Sequence, residues 1–252
     1  MTRTYDFVAG EVLLIDKPLT WTSFDVVNRV KYQVTRRLKL KAKVGHAGTL
    51  DPRATGLLIV CTGKFTKRLD SFQAQQKEYT GTIVVGATTP CCDLEKPVDA
   101  WFDTAHITDE LLHRTAMQFM GSQVQVPPVF SAVRVNGKRA YQLARSGRET
   151  TMPPREVEIP AFDITAIRRT TDAQGHALIE VDFRVVCSKG TYIRSLARDY
   201  GQALQAGAHL SALRRTKIGE FDVASAITPE QFMELMTEVE AQLQAAGEAA
   251  QS

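Results

Sequence analysis

The alternation of apolar and polar positions divides the chain into strands and helices. Alternating, β-branched runs predict strands in GEVLLIDKP (10–18), KEYTGTIVVGATT (77–89) and EVEIPAFDITAIRRTTDAQGHALIEVDFRVVCSKG (156–190), the last one broken at 172–175. Helical spacing of apolar residues predicts helices in TSFDVVNRVKYQV (22–34), ITDELLHRTAMQFMG (107–121), TYIRSLARDYGQAL (191–204) and ITPEQFMELMTEVEAQLQAA (227–246). The uninterrupted run GLLIVCTG (56–63) fits either a buried strand or a short helix, and both remain open.

The segment QVQVPPVFSAVRVNG (123–137) is predicted to be extended and to turn back on itself. Pro127 and Pro128 exclude a helix, and Asn136-Gly137 is a strong hairpin signal. A short helix is expected next, in AYQLARSG (140–147). Because strands outnumber helices and strand–helix–strand units rarely recur, the pattern predicts an α+β fold with a mixed sheet rather than a doubly wound one. A chain of 252 residues is long enough for one main core.

Charge is segregated along the chain more strongly than its net value of +3 suggests. The run KYQVTRRLKLKAK (31–43) holds six Lys and Arg residues and no acid, whereas EQFMELMTEVEAQ (230–242) is acidic. A single basic run is usually a solvated helix face. A second basic region mixes cations with an aromatic residue, which suits phosphates and stackable bases; it contains Arg134, Lys138, Arg139, Tyr141 and Arg145.

Several classes of function lack their sequence signals. The segment MTRTYDFVAGEVLLIDKP (1–18) has no long apolar stretch after a basic start, and no run elsewhere approaches the length of a bilayer crossing, so we expect a cytoplasmic protein. The four cysteines have no C-x-x-C spacing and are expected to be reduced thiols, and the five histidines are scattered, so we expect no metal. TGKFTK (62–67) resembles a phosphate-binding turn but has Phe65 where the P-loop pattern requires Ser or Thr.

Asp51 is the first candidate for chemistry. It precedes Pro52 in GHAGTLDPRATG (45–56), and an Asp-Pro turn alone would account for such a carboxylate. Its neighbours favour a functional role, because His46 lies five residues earlier and the glycines at 45, 48 and 56 permit close approach of a ligand. A glycine-lined loop that carries one acid is a plausible floor for a binding pocket.

Arg194 is the candidate partner of this carboxylate. In CSKGTYIRSLARD (187–199) it lies one helical turn before Arg198, beside the apolar stripe. Surface arginines at this spacing most often pair with nearby acids such as Asp199. The sharper alternative is that Arg194 reaches a buried carboxylate and lowers its pKa, which keeps the acid ionised in a closed pocket. We predict that Asp51 is that carboxylate.

Spaced motifs in one order strongly resemble those of the TruB family of tRNA pseudouridine synthases. They are IDKPLTWTS (15–23), GHAGTLDPRATGLL (45–58), KEYTGTIVVGATT (77–89), PPVFSAVRVNGKRAYQLAR (127–145) and CSKGTYIRSLARDYG (187–201), followed by LRRTKIG (213–219). The resemblance implies an α+β, pseudouridine-synthase-like core with a mixed, mostly antiparallel sheet flanked by helices, plus an RNA-gripping hairpin insertion. It also implies that a uridine in the T-loop of tRNA, conventionally position 55, is isomerised to pseudouridine without cofactor or metal.

The resemblance assigns catalytic roles to three residues. Asp51 corresponds to the family's catalytic aspartate, which acts as a nucleophile or as a base towards the ribose. Tyr79 corresponds to the tyrosine that stacks on the target base, and its hydroxyl is a candidate for proton transfer at C5. Arg194 corresponds to the arginine that pairs with the aspartate, in agreement with the partnership predicted above.

Three further residues are expected to contact the substrate. Leu213 matches an apolar residue that packs near the uracil, and His46 matches a histidine that helps to hold the flipped-out nucleotide. Lys17 matches a lysine near the site. For both His46 and Lys17 the alternative is local support of the catalytic loop. Flipping costs a few kcal/mol, which phosphate contacts and stacking must offset, so we predict binding that weakens markedly with salt.

The resemblance also suggests how the chain is divided. Residues 1–225 would form the catalytic domain, with the RNA-binding hairpin insertion at about 126–155. Residues 226–252 would form an acidic C-terminal helix and tail, with no full RNA-binding module of the PUA type that bacterial relatives often carry. TTPCCD (88–93) departs from the family's Thr-Asp-Thr-like sequence. We interpret that departure as a change in a local RNA-facing loop rather than in the catalytic core.

Two alternatives of different classes remain open. A noncatalytic chaperone could fold tRNA with the same basic surface and without turnover. A hydrolase such as a glycosidase could use Asp51, although it normally needs a second carboxylate at a defined distance and would release free uracil. The expected partner is the T-arm stem-loop of tRNA, with no membrane and no obligate protein partner inferred.

Overall fold

The computed structural model describes residues 4–128, 130, 134–135, 138–139 and 152–249, and of residues 134–135, 138–139 and 247–249 it describes the backbone alone. The strands are β1 (Val12–Lys17), β2 (Val44–His46), β3 (Ala54–Thr62), β4 (Lys77–Val85), β5 (Ala87–Thr88), β6 (Ala100–Trp101), β7 (Gly121–Gln125), β8 (Arg134–Val135), β9 (Lys138–Arg139), β10 (Arg155–Ile159), β11 (Ala161–Thr171), β12 (Ala177–Cys187), β13 (Ala208–Ile218) and β14 (Phe221–Asp222). The helices are α1 (Ser23–Tyr32), α2 (Leu69–Ala74), α3 (Asp109–Gln118), α4 (Ile193–Ala203) and α5 (Pro229–Ala249). A π-helical turn at Gln33–Arg37 extends α1.

These elements agree with the predicted strands and helices. The α+β class with a mixed, mostly antiparallel sheet is confirmed. The short helix expected at 140–147 lies outside the described residues. Within the described part of the chain, no helix is both long and apolar enough to cross a membrane.

The chain forms two compact units. The first unit is Met1–Gln75 together with Arg214–Ser252, and the second is Gln76–Leu213. Strand β13 contributes its residues 214–218 to the first unit and 208–213 to the second. The first unit is therefore assembled from both ends of the sequence.

In the first unit, β3 lies between β1 and β13. β1 pairs with β3 in antiparallel register, with Lys17 opposite Gly56. β3 is buried on both faces: Leu58 and Val60 face one hydrophobic cluster, and Leu57 and Ile59 face another. A strand buried on both faces needs no polar alternation, which is why its sequence did not distinguish a strand from a helix.

The acidic C-terminal helix belongs to the core of the first unit. Three apolar residues of α5, Phe232, Met236 and Val239, are buried in the cluster that also contains residues of β1 and α1. Arg37 forms an ion pair with Glu240 at 2.8 Å, between the π-helical turn and α5. The helix thus buries one face, while Glu230, Glu234 and Glu238 are exposed. The boundary between a catalytic domain (1–225) and a C-terminal segment (226–252) stays a prediction.

In the second unit, the strand order is β13, β4, β12 and β11. β12 pairs antiparallel with β4 and β11, and the β11–β12 connection turns at Asp172–Gly175 as predicted. Helix α4 buries the apolar stripe expected of it: Ile193, Leu196, Ala197, Tyr200 and Leu204. The Tyr200 hydroxyl donates to the Leu112 carbonyl at 2.9 Å, which ties α4 to α3.

Among its described residues the second unit also carries three small two-stranded ribbons, one of which pairs β5 with β6. β7 pairs with β10, and β8 pairs with β9 with Arg134 opposite Arg139. The β8–β9 pairing confirms the predicted hairpin around Asn136-Gly137, although those two residues themselves lie outside the described part of the chain.

Candidate active site

Asp51 lies on the loop between β2 and β3, which we call the catalytic loop (residues 47–53). The Ala54 N–H donates to the Asp51 carbonyl at 3.0 Å, so Asp51 begins a turn, as its Asp-Pro sequence predicts. Ser23, the first residue of α1, is bonded to Leu50 twice: its Oγ accepts from the Leu50 N–H at 2.8 Å and donates to the Leu50 carbonyl at 3.2 Å. The residue before Asp51 is therefore fixed to the start of a helix.

Lys17 ends β1 and is completely buried. Its Nζ donates to the carbonyls of Pro18 and Trp21, at 3.0 and 2.6 Å. Burial lowers the pKa of Lys17 to about 8; the Asp51 carboxylate raises it and Arg215 lowers it further. Lys17 thus lies within electrostatic reach of Asp51 but not at the surface. Of the two alternatives left open for Lys17, the structure favours local support of the loop.

Arg215 is a second buried cation beneath the catalytic loop, and it is 1% exposed. Its Nε donates to the Leu57 carbonyl of β3 at 2.8 Å, and its Nη2 donates to the Gly48 carbonyl at 3.1 Å. One side chain therefore joins β13, β3 and the catalytic loop.

His46 is the last residue of β2 and is half-buried. Burial lowers its pKa, Arg215 lowers it further, and the Gly48 backbone opposes both effects. Its Nδ1 atom is buried and has no hydrogen-bond partner among the described residues. Burial and Arg215 thus both favour the neutral form of the imidazole, which lies next to the catalytic loop.

The other predicted site residues belong to the second unit. Tyr79 lies on β4, opposite Val185 of β12, and is 9% exposed. Leu213 lies on β13 and is half-buried. Arg194 is in the first turn of α4 and is 4% exposed, so it is not the solvated surface arginine that its spacing also allowed. Arg198 does follow the simpler alternative, since it pairs with Asp199 at 2.8 Å.

Arg194 is held by the turn that the sequence presents as TTPCCD. Its Nη1 donates to the Cys91 carbonyl at 3.2 Å, and its Nε lies 3.7 Å from Oδ2 of Asp93. Cys91 and Asp93 are 1% and 5% exposed. Residues of this segment thus contact a predicted catalytic side chain, and its interpretation as a local RNA-facing loop stays a prediction.

The start of α4 is also fixed by the segment that leads into the hairpin insertion. Gln125 makes two hydrogen bonds with Tyr192, accepting from its N–H at 2.7 Å and donating to its carbonyl at 3.1 Å. Nη2 of Arg194 donates to the Phe130 carbonyl at 2.9 Å. The backbone next to the predicted RNA-binding hairpin thus contacts Arg194 directly.

The predicted RNA-binding residues are only partly described. Arg134, Lys138 and Arg139 lie on the β8–β9 ribbon, where the backbone alone is described. Tyr141 and Arg145 lie outside the described residues. Their roles remain predictions.

Sequence reasoning missed Arg215, Asp93 and Gln125. Arg215 belongs to the LRRT motif, in which the family resemblance points to Leu213. Asp93 ends the segment TTPCCD, whose departure from the family pattern lies in its middle positions. Gln125 carries no signal that distinguishes it from other polar residues of a strand. Among the described residues, no group of three or more His, Cys, Asp or Glu side chains is arranged to hold a metal ion.

Comparison with known proteins covers most of the sequence. Residues 35–193 match the model of the TruB family pseudouridylate synthase N-terminal domain, and residues 194–246 match that of the tRNA pseudouridylate synthase B C-terminal domain. A Flavobacterium johnsoniae protein named tRNA pseudouridine synthase B is 54% identical over 224 residues, 88% of this chain and 94% of that protein. A Parabacteroides distasonis protein of the same name is 52% identical over 227 residues, 90% of this chain and 93% of that protein.

A solved structure supports the fold. A chain in the crystal structure of a Cbf5-Nop10-Gar1 complex aligns with a TM-score of 0.62 and 29% identity, over 88% of this chain and 53% of that one. The protein thus spans about half the length of that solved chain. Because two family models together match residues 35–246 and relatives above 50% identity are covered almost completely, the chain belongs to the TruB family of pseudouridylate synthases.

Proposed function

We propose that this protein isomerises uridine to pseudouridine in the T-loop of tRNA, at position 55. Membership of the TruB family makes it a pseudouridine synthase, and its relatives are named for action on tRNA. The observation that carries the proposal is the placement of Asp51, which lies on an anchored loop within electrostatic reach of a buried lysine. A carboxylate supported in this way is suited to act on a nucleotide rather than merely to cap a turn.

The reaction is an isomerisation whose atoms balance without a co-reactant. The bond between C1′ and N1 of the uridine breaks, and a bond between C1′ and C5 forms. C5 loses its proton to solvent, and N1 gains one. The uracil must therefore stay beside the ribose between the two steps, which requires a pocket that holds a flipped base.

Each site residue has a proposed part in this sequence. Asp51 acts at the nucleotide whose glycosidic bond breaks, and Arg194 supports it in the ionised form. Tyr79 stacks on the uracil and takes part in proton transfer at C5, and Leu213 packs against the same base. His46, at the end of β2 next to the catalytic loop, helps to hold the flipped nucleotide.

Binding is proposed to depend on the basic residues of the hairpin insertion and on the T-arm stem-loop. Arg134, Lys138, Arg139, Tyr141 and Arg145 would contact phosphates and stacked bases, and affinity would fall steeply with salt. We also propose a cytoplasmic location, where tRNA is the substrate.

The test is release of tritium from C5-labelled uridine in a T-arm stem-loop and in full-length tRNA. Native protein, Asp51→Asn and Asp70→Asn would be compared, because Asp70 is an exposed aspartate of α2 in the same unit. We expect equal release by the native and Asp70→Asn proteins and a loss of at least about 1,000-fold for Asp51→Asn, with RNA binding retained. Analysis of the product for free uracil completes the experiment.

The other outcomes identify the alternatives. Free uracil as the product would identify a hydrolase. RNA binding and tRNA refolding by the native protein, without tritium release from either RNA, would identify the noncatalytic chaperone. Equal activity of Asp51→Asn and the native protein would remove Asp51 from the mechanism.

A further inference from the structure

Arg215 is a buried cation to which the proposed mechanism gives no part. It follows Arg214 on β13, and the two differ sharply in surroundings. Arg214 is 39% exposed and pairs with Asp16 at 2.6 Å. Arg215 is 1% exposed and directs its donors at backbone carbonyls. Burying a guanidinium costs free energy unless its donors are hydrogen-bonded, so the buried position of Arg215 calls for an explanation.

The contacts of Arg215 connect the catalytic loop to rigid elements. Leu57 lies within β3, whereas Gly48 lies on the loop three residues before Asp51. The two hydrogen bonds come from one planar guanidinium, so they fix the Gly48 carbonyl relative to β3. Gly48 has φ +89°, a backbone conformation that residues with a Cβ rarely adopt. The loop therefore depends on glycine at the position whose carbonyl Arg215 binds.

Arg215 also sets the electrostatic surroundings of this loop. It acts on His46 and on Lys17, lowering the pKa of each beyond the effect of burial. The groups that act on Lys17 are Asp51, Arg215 and Asp25, and those that act on His46 are Arg215 and the Gly48 backbone. Asp51 thus belongs to a group of charges in which Arg215 is a fixed member.

We propose that Arg215 is a positioning residue for the isomerisation: by holding the Gly48 carbonyl against β3 it sets the direction in which the catalytic loop presents Asp51. The proposal rests on the proposed function. It predicts that Arg215 contributes to the rate of the chemical step more than to RNA affinity, because a small error in the position of a reacting group costs up to about 100-fold in rate.

The test compares Arg215→Lys, Arg215→Met and the control Arg214→Lys. Single-turnover tritium release at saturating T-arm stem-loop reports the chemical step, and filter binding reports the dissociation constant. We expect Arg215→Lys to lower the rate constant about 10–100-fold with affinity within threefold of native, since an ammonium cannot reproduce the two-point fork. Arg214→Lys should stay within twofold in both measurements.

The pH profile separates positioning from general support of the fold. Arg215→Met removes the cation beside His46, so the pKa of His46 rises and the acidic limb of the rate profile should move to higher pH. Arg215→Lys keeps the charge and should keep the limb in place. Both profiles are recorded at least 15 °C below each protein's melting temperature. If Arg215→Met fails to fold, the Arg215→Lys measurements decide alone.

Three results would overturn the proposal. One is a folded Arg215→Lys protein whose rate constant stays within twofold of native. Another is a loss of rate that merely follows the folded fraction and disappears on cooling. The third is an Arg215→Lys protein that does not fold, which would make the role purely structural. Failure of the proposed function is distinguishable, because the native protein itself would then release no tritium.

Discussion

The two units hold their proposed site residues by different means. In the first unit Asp51 lies on a loop, and buried Lys17 and Arg215 donate to carbonyls of that loop and of the chain around it. In the second unit Tyr79 lies on a strand and Arg194 on a helix, whose own hydrogen bonds already fix the backbone. A loop lacks such bonds, so its carbonyls need donors from elsewhere. The comparison teaches that a loop proposed to carry the reacting carboxylate can draw its backbone support from buried cations.

The largest loss of stability is expected from Gly56→Ala in the first unit, at the end of the segment GHAGTLDPRATG that carries Asp51. Gly56 has φ +102°, and an added Cβ would lie 2.3 Å from the Arg215 carbonyl oxygen and 2.8 Å from the Arg215 nitrogen. Backbone strain and overpacking together predict a loss of about 3–5 kcal/mol in the free energy of unfolding, measured by urea denaturation.

Gly175→Ala is the matched control for that measurement. Gly175 has φ +93° in the second unit, but nothing lies within 4 Å of an added Cβ. Only backbone strain applies there, so the expected loss is about 1–2 kcal/mol. Equal losses at the two glycines would show that close packing of β3 against β13 is unimportant.

A smaller effect is expected from Asp93→Asn in the second unit. The change keeps the shape of the side chain but removes the charge that faces Arg194 in a site where the two side chains are 7% and 4% exposed. We expect a loss of about 1–3 kcal/mol in unfolding free energy and a lower rate of tritium release. Asp99→Asn is the control, since Asp99 is exposed and its carboxylate accepts from the Thr88 hydroxyl. No difference between the two variants would contradict a support role for Asp93.

The smallest effect concerns the pH dependence of stability that Lys17 contributes. Burial lowers its pKa from 10.5 to about 8, so the unfolded chain binds the proton more tightly. Between these values the unfolded state carries more protons, and stability from this group rises with pH. The slope is at most about 1.4 kcal/mol per pH unit. Urea midpoints of the native protein minus those of Lys17→Met should therefore increase from pH 8 to 10, and a flat difference would contradict a buried ammonium.

Periodicity predicted the regular elements because those elements bury one face. The stripe of α4, the β11–β12 turn and the Asn-Gly hairpin each follow from local spacing or turn chemistry. The burial of Lys17 also agrees with the alternation along β1, since Lys17 shares a face of the strand with the buried residues Leu13 and Ile15. A lysine is usually exposed, but the position of Lys17 in the strand indicates the buried face.

The contacts around the site could not be predicted in the same way. Arg194 and Arg215 donate to backbone carbonyls. Every residue has a carbonyl, so residue type does not indicate which one accepts the hydrogen bond. The partner Asp93 comes from a turn that is distant in sequence from Arg194. Family resemblance supplied Tyr79 and agreed with the candidates Asp51 and Arg194, because it carries tertiary information that spacing within one segment does not.

The first unit's assembly from both chain ends has a consequence during synthesis on the ribosome. Residues 76–213 are contiguous, so the second unit can complete its contacts as soon as they have emerged. Residues 1–75 emerge earlier, but their tertiary contacts are completed later. Phe232, Met236 and Val239 fill their core, and Arg215 completes the support of their loop. The segment that carries Asp51 is thus translated before the second unit, and its surroundings are completed only by residues that are translated after that unit.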